Sequence, residues 1–265
     1  MPDDQSALRP MPAVFIGHGN PMNALDPDGV AVKWRELALS MPRPRAIVAI
    51  SAHWYIPGTK VTAMSAPETI HDFGGFPREL FEVQYPAPGD PELASELVSL
   101  LTPVAVDLDH SWGLDHGTWS VLVHMYPEAD IPIVQLSIDR TQRASFHYDL
   151  ARRLSPVRDN GVLILGSGNL VHNLHAYSWG DRSGTPFPWA VEFESRAKEL
   201  LASHEHGPLI AYESLGEAAR QSIPTPDHYL PFIYTIALCR GGEELSYPVE
   251  GFDGGSISML SVRIG

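Results

Sequence analysis

Cysteine, positive charge and long apolar runs are all scarce in this sequence. The single cysteine among 265 residues, Cys239, excludes an internal disulfide and a metal site made of several thiolates. Lysine and arginine number 18 against 32 aspartate and glutamate residues, so the formal net charge is −14. Nucleic acids and anionic membranes attract proteins that carry a concentrated positive surface. We therefore expect neither of them as a partner of this chain.

No apolar run approaches the length of a membrane span, and residues 1–6 lack the basic and apolar segments of a secretion signal. A cytoplasmic location is the expectation that follows. Hydrophobic residues make up 44% of the sequence and charged residues 19%, which is typical of a globular protein. The length fits one large domain. We expect a flexible N-terminus at residues 1–10 and a single folded domain over residues 11–265.

Strand-like apolar runs alternate with helical patterns along the chain. The strand-like runs fall at residues 12–16, 46–52, 60–64, 103–108, 131–138, 162–167 and 256–263. The helical patterns fall at residues 30–40, 91–101, 119–126, 145–154, 188–203 and 228–238. This alternation predicts an α/β fold in which a central mixed or mainly parallel sheet has helices on both faces.

Four histidines lie at turns that border apolar runs: His18, His53, His172 and His228. Three of them follow strand-like runs, and open α/β sheets bind ligands at the carboxyl ends of their strands. Neutral imidazole is the commonest metal ligand near neutral pH, and it suits iron, zinc, copper and nickel alike. Any one of these residues alone is better explained as a partly buried polar group bonded to a carbonyl. The recurrence of all four favours one shared metal site.

A fifth histidine, His116, lies in the glycine-flanked loop 112–117, just before a helical pattern. Histidine exchanges protons readily near neutral pH, so His116 and His172 are candidates for a general acid and base pair. The alternative for His116 is a structural role at the start of the helix, with a hydrogen bond to Asp115 or to the backbone.

The loop at residues 69–77 contains His71, two aromatic residues and two glycines. It either roofs a pocket or is a simple turn packed on the edge of the domain, and the sequence leaves both open. His71 and Trp54, which follows His53, are our candidate substrate-binding residues. The remaining histidines stand in charged or amphipathic surroundings, and we expect most of them at the surface. They are His110, His124, His147, His175, His204 and His206.

Eight blocks of sequence, in order from residue 11 to the end, resemble one known family. They are GHGNPMN at 17–23, SAHW at 51–54, TIHDFGGFP at 69–77, YPAPG at 85–89, WGLDHG at 112–117, VQLSID at 134–139, SGNLVHNL at 167–174 and PTPDHYLP at 224–231. Together they resemble the 4,5-DOPA extradiol dioxygenase family of bacteria and plants, which belongs to the LigB-like class III extradiol ring-cleavage dioxygenases.

This resemblance implies a catalytic domain over residues 11–265 and one divalent metal per chain. By the same resemblance His18, His53 and His228 hold the metal, and His172 is either a fourth ligand or an acid/base group. Many relatives in the wider superfamily supply a carboxylate as the third ligand. An all-histidine site is our interpretation here, with Asp227 as the alternative ligand.

The implied reaction opens a catechol such as DOPA with O₂ to give a semialdehyde. The resemblance implies Fe(II) for activity, whereas Zn(II) can occupy the same ligands but cannot perform the redox step. His172 is then the base that deprotonates the catechol, and His116 the acid that supplies a proton before ring opening. Two other functions stay open: a zinc-dependent hydrolase of an amide or ester, and a non-catalytic interaction protein on the same fold. Activity with zinc would identify the hydrolase.

Overall fold

The computed structural model describes residues 10–265. The prediction of a flexible N-terminus at residues 1–10 falls almost entirely outside the described residues, because only residue 10 of that segment is described. The strands are β1 (Ala13–Gly17), β2 (Ala46–Ser51), β3 (Tyr55–Ile56), β4 (Thr59–Thr62), β5 (Val106–Asp109), β6 (Ile133–Gln135), β7 (Ile138–Asp139), β8 (Val162–Gly168), β9 (Leu245–Val249), β10 (Phe252–Asp253), β11 (Ile257–Ser258) and β12 (Ser261–Ile264).

Helices connect most of these strands. The α-helices are α1 (Val30–Leu39), α2 (Arg78–Phe81), α3 (Pro91–Leu100), α4 (His116–Met125), α5 (Ala144–Arg153), α6 (Ser155–Asp159), α7 (Pro188–Ala202), α8 (His206–Ile210), α9 (Glu217–Ser222) and α10 (Leu230–Ile236). Two short 3-10 helices span Pro21–Leu25 and Tyr212–Leu215. Among residues 10–265, no helix is both long enough and apolar enough to cross a membrane.

Six strands form the central sheet in the order β6-β2-β8-β1-β12-β9. The strands from β6 to β1 are parallel to their neighbours, and β12 and β9 pair antiparallel at one side. The β4 and β5 strands pair with each other in a separate two-stranded sheet. The prediction of a mixed, mainly parallel sheet is confirmed.

The interior strands are buried on both faces. Along β1, Ala13 and Phe15 point into one hydrophobic cluster, while Val14 and Ile16 point into the other. Side chains alternate between the faces of a strand, so one continuous apolar run serves both layers. The first cluster includes residues of α3, α5, α7 and α10, and the second includes residues of α1 and α4. Helices therefore cover both faces, as predicted.

Parallel pairing brings the carboxyl ends of β1, β2 and β8 to the same edge of the sheet. Gly17 lies opposite Gly168, and Ser51 lies opposite Ser167. The ladder continues just beyond the strands, because the His18 amide donates to the Gly168 carbonyl at 3.0 Å. Residues that follow β1 and β2 are thereby fixed on either side of the β8 end.

The turn before α10 packs directly against the end of β8. The Asn169 amide donates to the His228 carbonyl at 2.9 Å. A Cβ atom added at Gly168 would lie only 2.2 Å from that carbonyl oxygen. Glycine at position 168 is therefore needed for this approach, which carries His228 to the same edge as His18.

Two histidines that we expected at the surface are buried instead. His124 is 8% exposed and His147 is fully buried. Both occupy the inward face of a helix, α4 for His124 and α5 for His147, where the ring packs against the core. The expectation was wrong for these two because local polarity does not reveal which face of an amphipathic helix a histidine occupies.

Candidate metal centre

Three imidazole rings meet at the sheet edge. Each of His18, His53 and His228 offers a ring nitrogen, and these three nitrogens lie within 4.8 Å of one another. The Nε2 atoms of His18 and His53 are 3.4 Å apart. Two nitrogens that each lie about 2.0–2.1 Å from one tetrahedral ion are roughly 3.3 Å apart. The spacing of this pair therefore suits two ligands of the same metal.

A serine determines which nitrogen of His18 faces this centre. The Ser167 hydroxyl donates its one hydrogen to the Gly117 carbonyl at 2.5 Å, so it can only accept from His18. His18 Nδ1, 2.9 Å from the Ser167 oxygen, must then carry the ring hydrogen. Nε2 keeps its lone pair, which is the form that a metal ligand needs.

His228 is oriented by the residue beside it. The Nδ1 atom of His228 lies 2.5 Å from Oδ2 of Asp227. Burial opposes ionisation of Asp227, but the hydrogen bond and charge of His228, together with hydrogen bonds from Thr225 and the backbone, outweigh it and lower the pKa of this carboxyl. An ionised carboxylate accepts the Nδ1 hydrogen and leaves Nε2 of His228 available. This is the carboxylate–histidine arrangement that supports many metal ligands.

His18 and His53 are kept neutral by their surroundings. Burial, followed by the charges that neighbouring histidines would carry, lowers the pKa of His18 and of His53 well below the ordinary value. Metal ions bind the neutral form of imidazole. The donor set therefore fits one divalent ion.

Asp72 links His116 to this centre. Its Oδ1 accepts from both the backbone amide and Nδ1 of His116, each at 2.9 Å, and its Oδ2 lies 3.7 Å from Nδ1 of His53. Burial raises the pKa of Asp72, yet the hydrogen bonds from His116 lower it overall. His53, Asp72 and His116 form a second group of three that could hold an ion. Both hydrogen bonds from His116 already engage this carboxylate, so the three-histidine group is the more available donor set.

His172 stacks on His228, with ring centroids 3.5 Å apart and planes 4° from parallel. Burial, and then the charge of His228, lowers the pKa of His172 to about 2. Among the described residues, His172 belongs to neither group of three donors. Its backbone is fixed by a hydrogen bond from its amide to the Ser222 carbonyl at 2.9 Å.

All five predicted histidines line one cavity of about 260 Å³. The histidine rings form its floor, and most of its other walls are apolar. The remaining lining residues are Gly19, Asn20, Pro21, Phe73, Phe76, Leu174, Tyr177, Trp179, Asp253 and Ile257. Such a cavity, apolar with a few convergent polar groups, is typical of a site for a small organic ligand.

The two candidate substrate-binding residues do not line this cavity. The Nε2 atom of His71 lies 3.0 Å from the carbonyl oxygen of Val83, and the ring of His71 packs against Phe73. Trp54 is 2% exposed and stacks on Trp112. The loop at residues 69–77 contributes to the cavity instead through Phe73 and Phe76.

Sequence reasoning missed two residues that organise the site. Asp72 and Ser167 both stand within blocks that we quoted for the family resemblance, but neither was given a role. Their partners, His116 and His18, are 44 and 149 positions away along the chain. Only the fold brings these pairs together, so no local pattern could have identified them.

Comparison with known proteins identifies the family of this chain. A family described as the catalytic LigB subunit of aromatic ring-opening dioxygenase matches residues 20–243. A protein of Escherichia coli (strain K12) named 4,5-DOPA dioxygenase extradiol is 50% identical over 260 residues, which cover 96% of this chain and 95% of that protein. A Beta vulgaris protein of the same name is 36% identical over 262 residues, which cover 94% of each chain.

The fold is also shared with a solved structure. The crystal structure of an uncharacterized protein from Escherichia coli K12 matches with a TM-score of 0.84 and 46% identity, covering 96% of this chain and 100% of that one. The family resemblance in the sequence is confirmed. The chain belongs to the LigB family of aromatic ring-opening dioxygenases, in its 4,5-DOPA extradiol dioxygenase branch.

Proposed function

We propose that this chain uses one Fe(II) ion to open a catechol such as DOPA beside its hydroxyls, consuming O₂ and forming a semialdehyde. The observation that carries the proposal is the group of three histidines whose ring nitrogens converge on the floor of an apolar cavity. Family membership supports the reaction type, and the names of the relatives support DOPA as one substrate.

We assign the metal to His18, His53 and His228. Three neutral ligands leave the full charge of a divalent ion, and when bound, iron supplies the redox and Lewis-acid chemistry that O₂ and the catechol oxygens need. Asp227 and Ser167 then act behind the ligands, because each accepts the Nδ1 hydrogen of the histidine it contacts. This assignment makes Asp227 a supporting partner and not a ligand.

His172 and His116 handle protons in this proposal. His172 lines the cavity, stacks on a ligand and is kept neutral by burial, so in this proposal it is the base that accepts a proton from a catechol made more acidic by the metal. Parallel stacking on His228 at 3.5 Å supports a base in preference to a fourth ligand, because two rings so placed do not direct their lone pairs at one point. His116 donates from Nδ1 to Asp72, so in this proposal the doubly protonated ring, paired with the Asp72 carboxylate, delivers its second proton from Nε2 to the substrate and is left neutral.

The other walls bind the ring and exclude water. Phe73 packs edge-to-face on His116, with centroids 5.3 Å apart, and it also contacts His71. We propose an indirect part in substrate binding for His71, because its ring packs on Phe73 of the wall, and for Trp54, because it directly follows the proposed ligand His53 in the sequence. An apolar wall strengthens the electrostatic contacts at the floor, because it replaces water with a medium of low dielectric constant.

The test is reconstitution of metal-free protein under anaerobic conditions, followed by exposure to O₂ with a panel of catechols. The Fe(II) form should give a coloured semialdehyde, and the Zn(II) form should bind catechol without turnover. Hydrolysis of amides or esters by the Zn(II) form would establish the hydrolase instead. Failure of the Fe(II) form on every catechol, with metal occupancy verified, would contradict the proposal.

A further inference from the structure

The mouth of the cavity carries two exposed apolar side chains. Trp179 is 71% exposed and Leu174 is 48% exposed, yet both line the cavity that ends at the histidines. Single exposed apolar residues are common on protein surfaces. Two of them beside one cavity are more informative, because exposed apolar groups at a cleft mark ligand contacts. We refer to Leu174 and Trp179 together as the rim.

The segment that carries the rim is anchored from behind. The Tyr177 hydroxyl donates to Asp253 at 2.8 Å, and Arg182 donates to the same carboxylate, with Nη2 2.6 Å from Oδ2. Trp179 packs edge-to-face on Tyr177 with centroids 4.8 Å apart. The indole of Trp179 is thus in contact with an anchored ring while much of its surface stays open. Holding an exposed aromatic ring in place reduces the entropy lost when a ligand stacks on it.

The wall between the floor and the rim is close to neutral. Asp253 lines the cavity, but the guanidinium of Arg182 pairs with its charge. Pro21, Phe76 and Ile257 supply apolar surface along the same path. A substituent that reaches from the floor to the rim therefore meets mainly apolar groups.

The cavity is larger than one aromatic ring requires. An apolar cavity of about 150 Å³ accommodates benzene, whereas this cavity measures about 260 Å³. If the two hydroxyls of a catechol face the histidines, the ring positions opposite them face the mouth. The additional volume then lies where a substituent on those positions would extend.

We propose that the rim is a binding subsite for an apolar or aromatic substituent carried by the catechol on the side of the ring opposite its hydroxyls. The subsite rests on the proposed function, because the hydroxyls decide which end of the substrate faces the mouth. Trp179 contributes a stacking surface, and Leu174 contributes apolar contact beside it. The rim selects among catechols and takes no part in the chemistry at the floor.

The experiment compares 4-benzylcatechol with unsubstituted catechol in the Fe(II)-loaded protein. In Trp179→Ala the ratio of the two kcat/KM values should fall about threefold to tenfold, mainly through KM, because one aromatic contact is lost. Trp179→Phe keeps a ring and should recover most of the ratio. Leu39→Ala is the matched control, since Leu39 is 85% exposed and lies outside the cavity, and its ratio should equal that of the parent.

A second measurement does not depend on turnover. Anaerobic calorimetry of 4-benzylcatechol binding should show the same threefold to tenfold loss in Trp179→Ala. An unchanged ratio and an unchanged affinity in Trp179→Ala would overturn the subsite. Parent protein that opens no catechol but still binds 4-benzylcatechol through Trp179 would contradict the proposed function and leave the subsite supported.

Discussion

His18 and His147 are both buried imidazoles, but they have different neighbours. Three other imidazoles surround His18, with centroids 5.1 Å away for His53, 5.3 Å for His228 and 6.1 Å for His116. The Nδ1 atom of His147 lies 3.0 Å from the hydroxyl of Tyr234, and its ring packs on the ring of Tyr234 in α10 with centroids 5.4 Å apart. Burial lowers the pKa of both residues.

Burial and a lowered pKa therefore do not by themselves identify a functional histidine. At His18, Ser167 occupies one nitrogen and leaves the other free to face two more ring nitrogens. The environment of His147 has the same low polarity without that convergence. A metal centre depends on free lone pairs that point to one place, and within residues 10–265 the groups of three such donors lie at the sheet edge.

The strongest test of this contrast removes one imidazole from the metal centre and, separately, the imidazole of His147. His18→Ala or His53→Ala should abolish tight metal binding and with it ring opening, because each removes one of three donors. The fold should persist, since both residues follow strand ends. His147→Gln is the control and should keep full metal content. Metal analysis and circular dichroism of the purified variants are the measurements, and full stoichiometry in both alanine variants would place the site elsewhere.

A smaller effect is expected when a proton donor is lost and the ligands remain. His116→Gln should bind metal and catechol normally but open the ring about a hundredfold more slowly, as expected for loss of a positioned acid. Single-turnover kinetics that start from the anaerobic complex separate this step from binding. A variant that turned over at the parental rate would return His116 to the structural role at the start of α4.

Removing the charge of Asp227, which supports the ligand His228, should have a smaller effect than loss of a ligand or of the proton donor. Asp227→Asn keeps an oxygen that can accept from Nδ1 of His228 but removes the negative charge. Loss of such a partner typically weakens metal affinity about tenfold to a hundredfold. Competition with a coloured chelator measures the change. If Asp227 were itself a ligand, the loss would match that of His18→Ala, so the comparison decides between the two roles.

The smallest effect on function is expected at His147. Lowering the pH should change the contribution of this residue to the free energy of unfolding, without a direct effect on catalysis. Burial outweighs nearby Asp139 and lowers the pKa of His147 to about 4, whereas an unfolded histidine titrates near about 6.5. The contribution of neutral His147 to the free energy of unfolding is therefore fully present above about pH 6.5. It is lost as the pH falls through about 4, because in this range the unfolded chain takes up the proton more readily than the folded one.

In metal-free parent protein, the free energy of unfolding should fall by about 2–3 kcal/mol more than in His147→Gln over this range. Urea unfolding at several pH values provides the measurement. Equal pH dependence in the two proteins would show that His147 is not kept neutral by the core.

Much of the architecture could be predicted from the sequence. The run at 162–167 predicted β8 to within one residue, and the pattern at 188–203 predicted α7 to within one residue, because interior strands and long amphipathic helices carry strong periodic signals. The strand β9 was missed, since it is half-buried and contains a proline, as edge strands often do. The pairing of β4 with β5 was also beyond reach, because no local signal assigns a strand to one sheet or another.

The site divides in the same way. Each of the five histidines that line the cavity was visible as a histidine beside a turn, and the fold explains why: strand ends at one edge present them together. Their roles as ligand, base or acid stay predictions. Asp72, Ser167 and the rim were not visible, because their meaning depends on contacts between distant segments. Trp179 in particular has no distinguishing pattern in its own loop.

Because β8 lies between β1 and β2, the spacing of the strands sets the distance between two of the proposed metal ligands. Neighbouring strands lie about 4.8 Å apart, so the backbones that carry His18 and His53 are separated by roughly twice that distance. The two side chains span this gap above the small residues Ser167 and Gly168 at the end of β8. Backbone hydrogen bonds therefore fix the separation of the strand ends from which His18 and His53 project, and the turn before α10 adds His228. An ion of unsuitable size would have to change the separation of the hydrogen-bonded strands β1, β8 and β2. The close-packed core on both faces of the sheet resists that change.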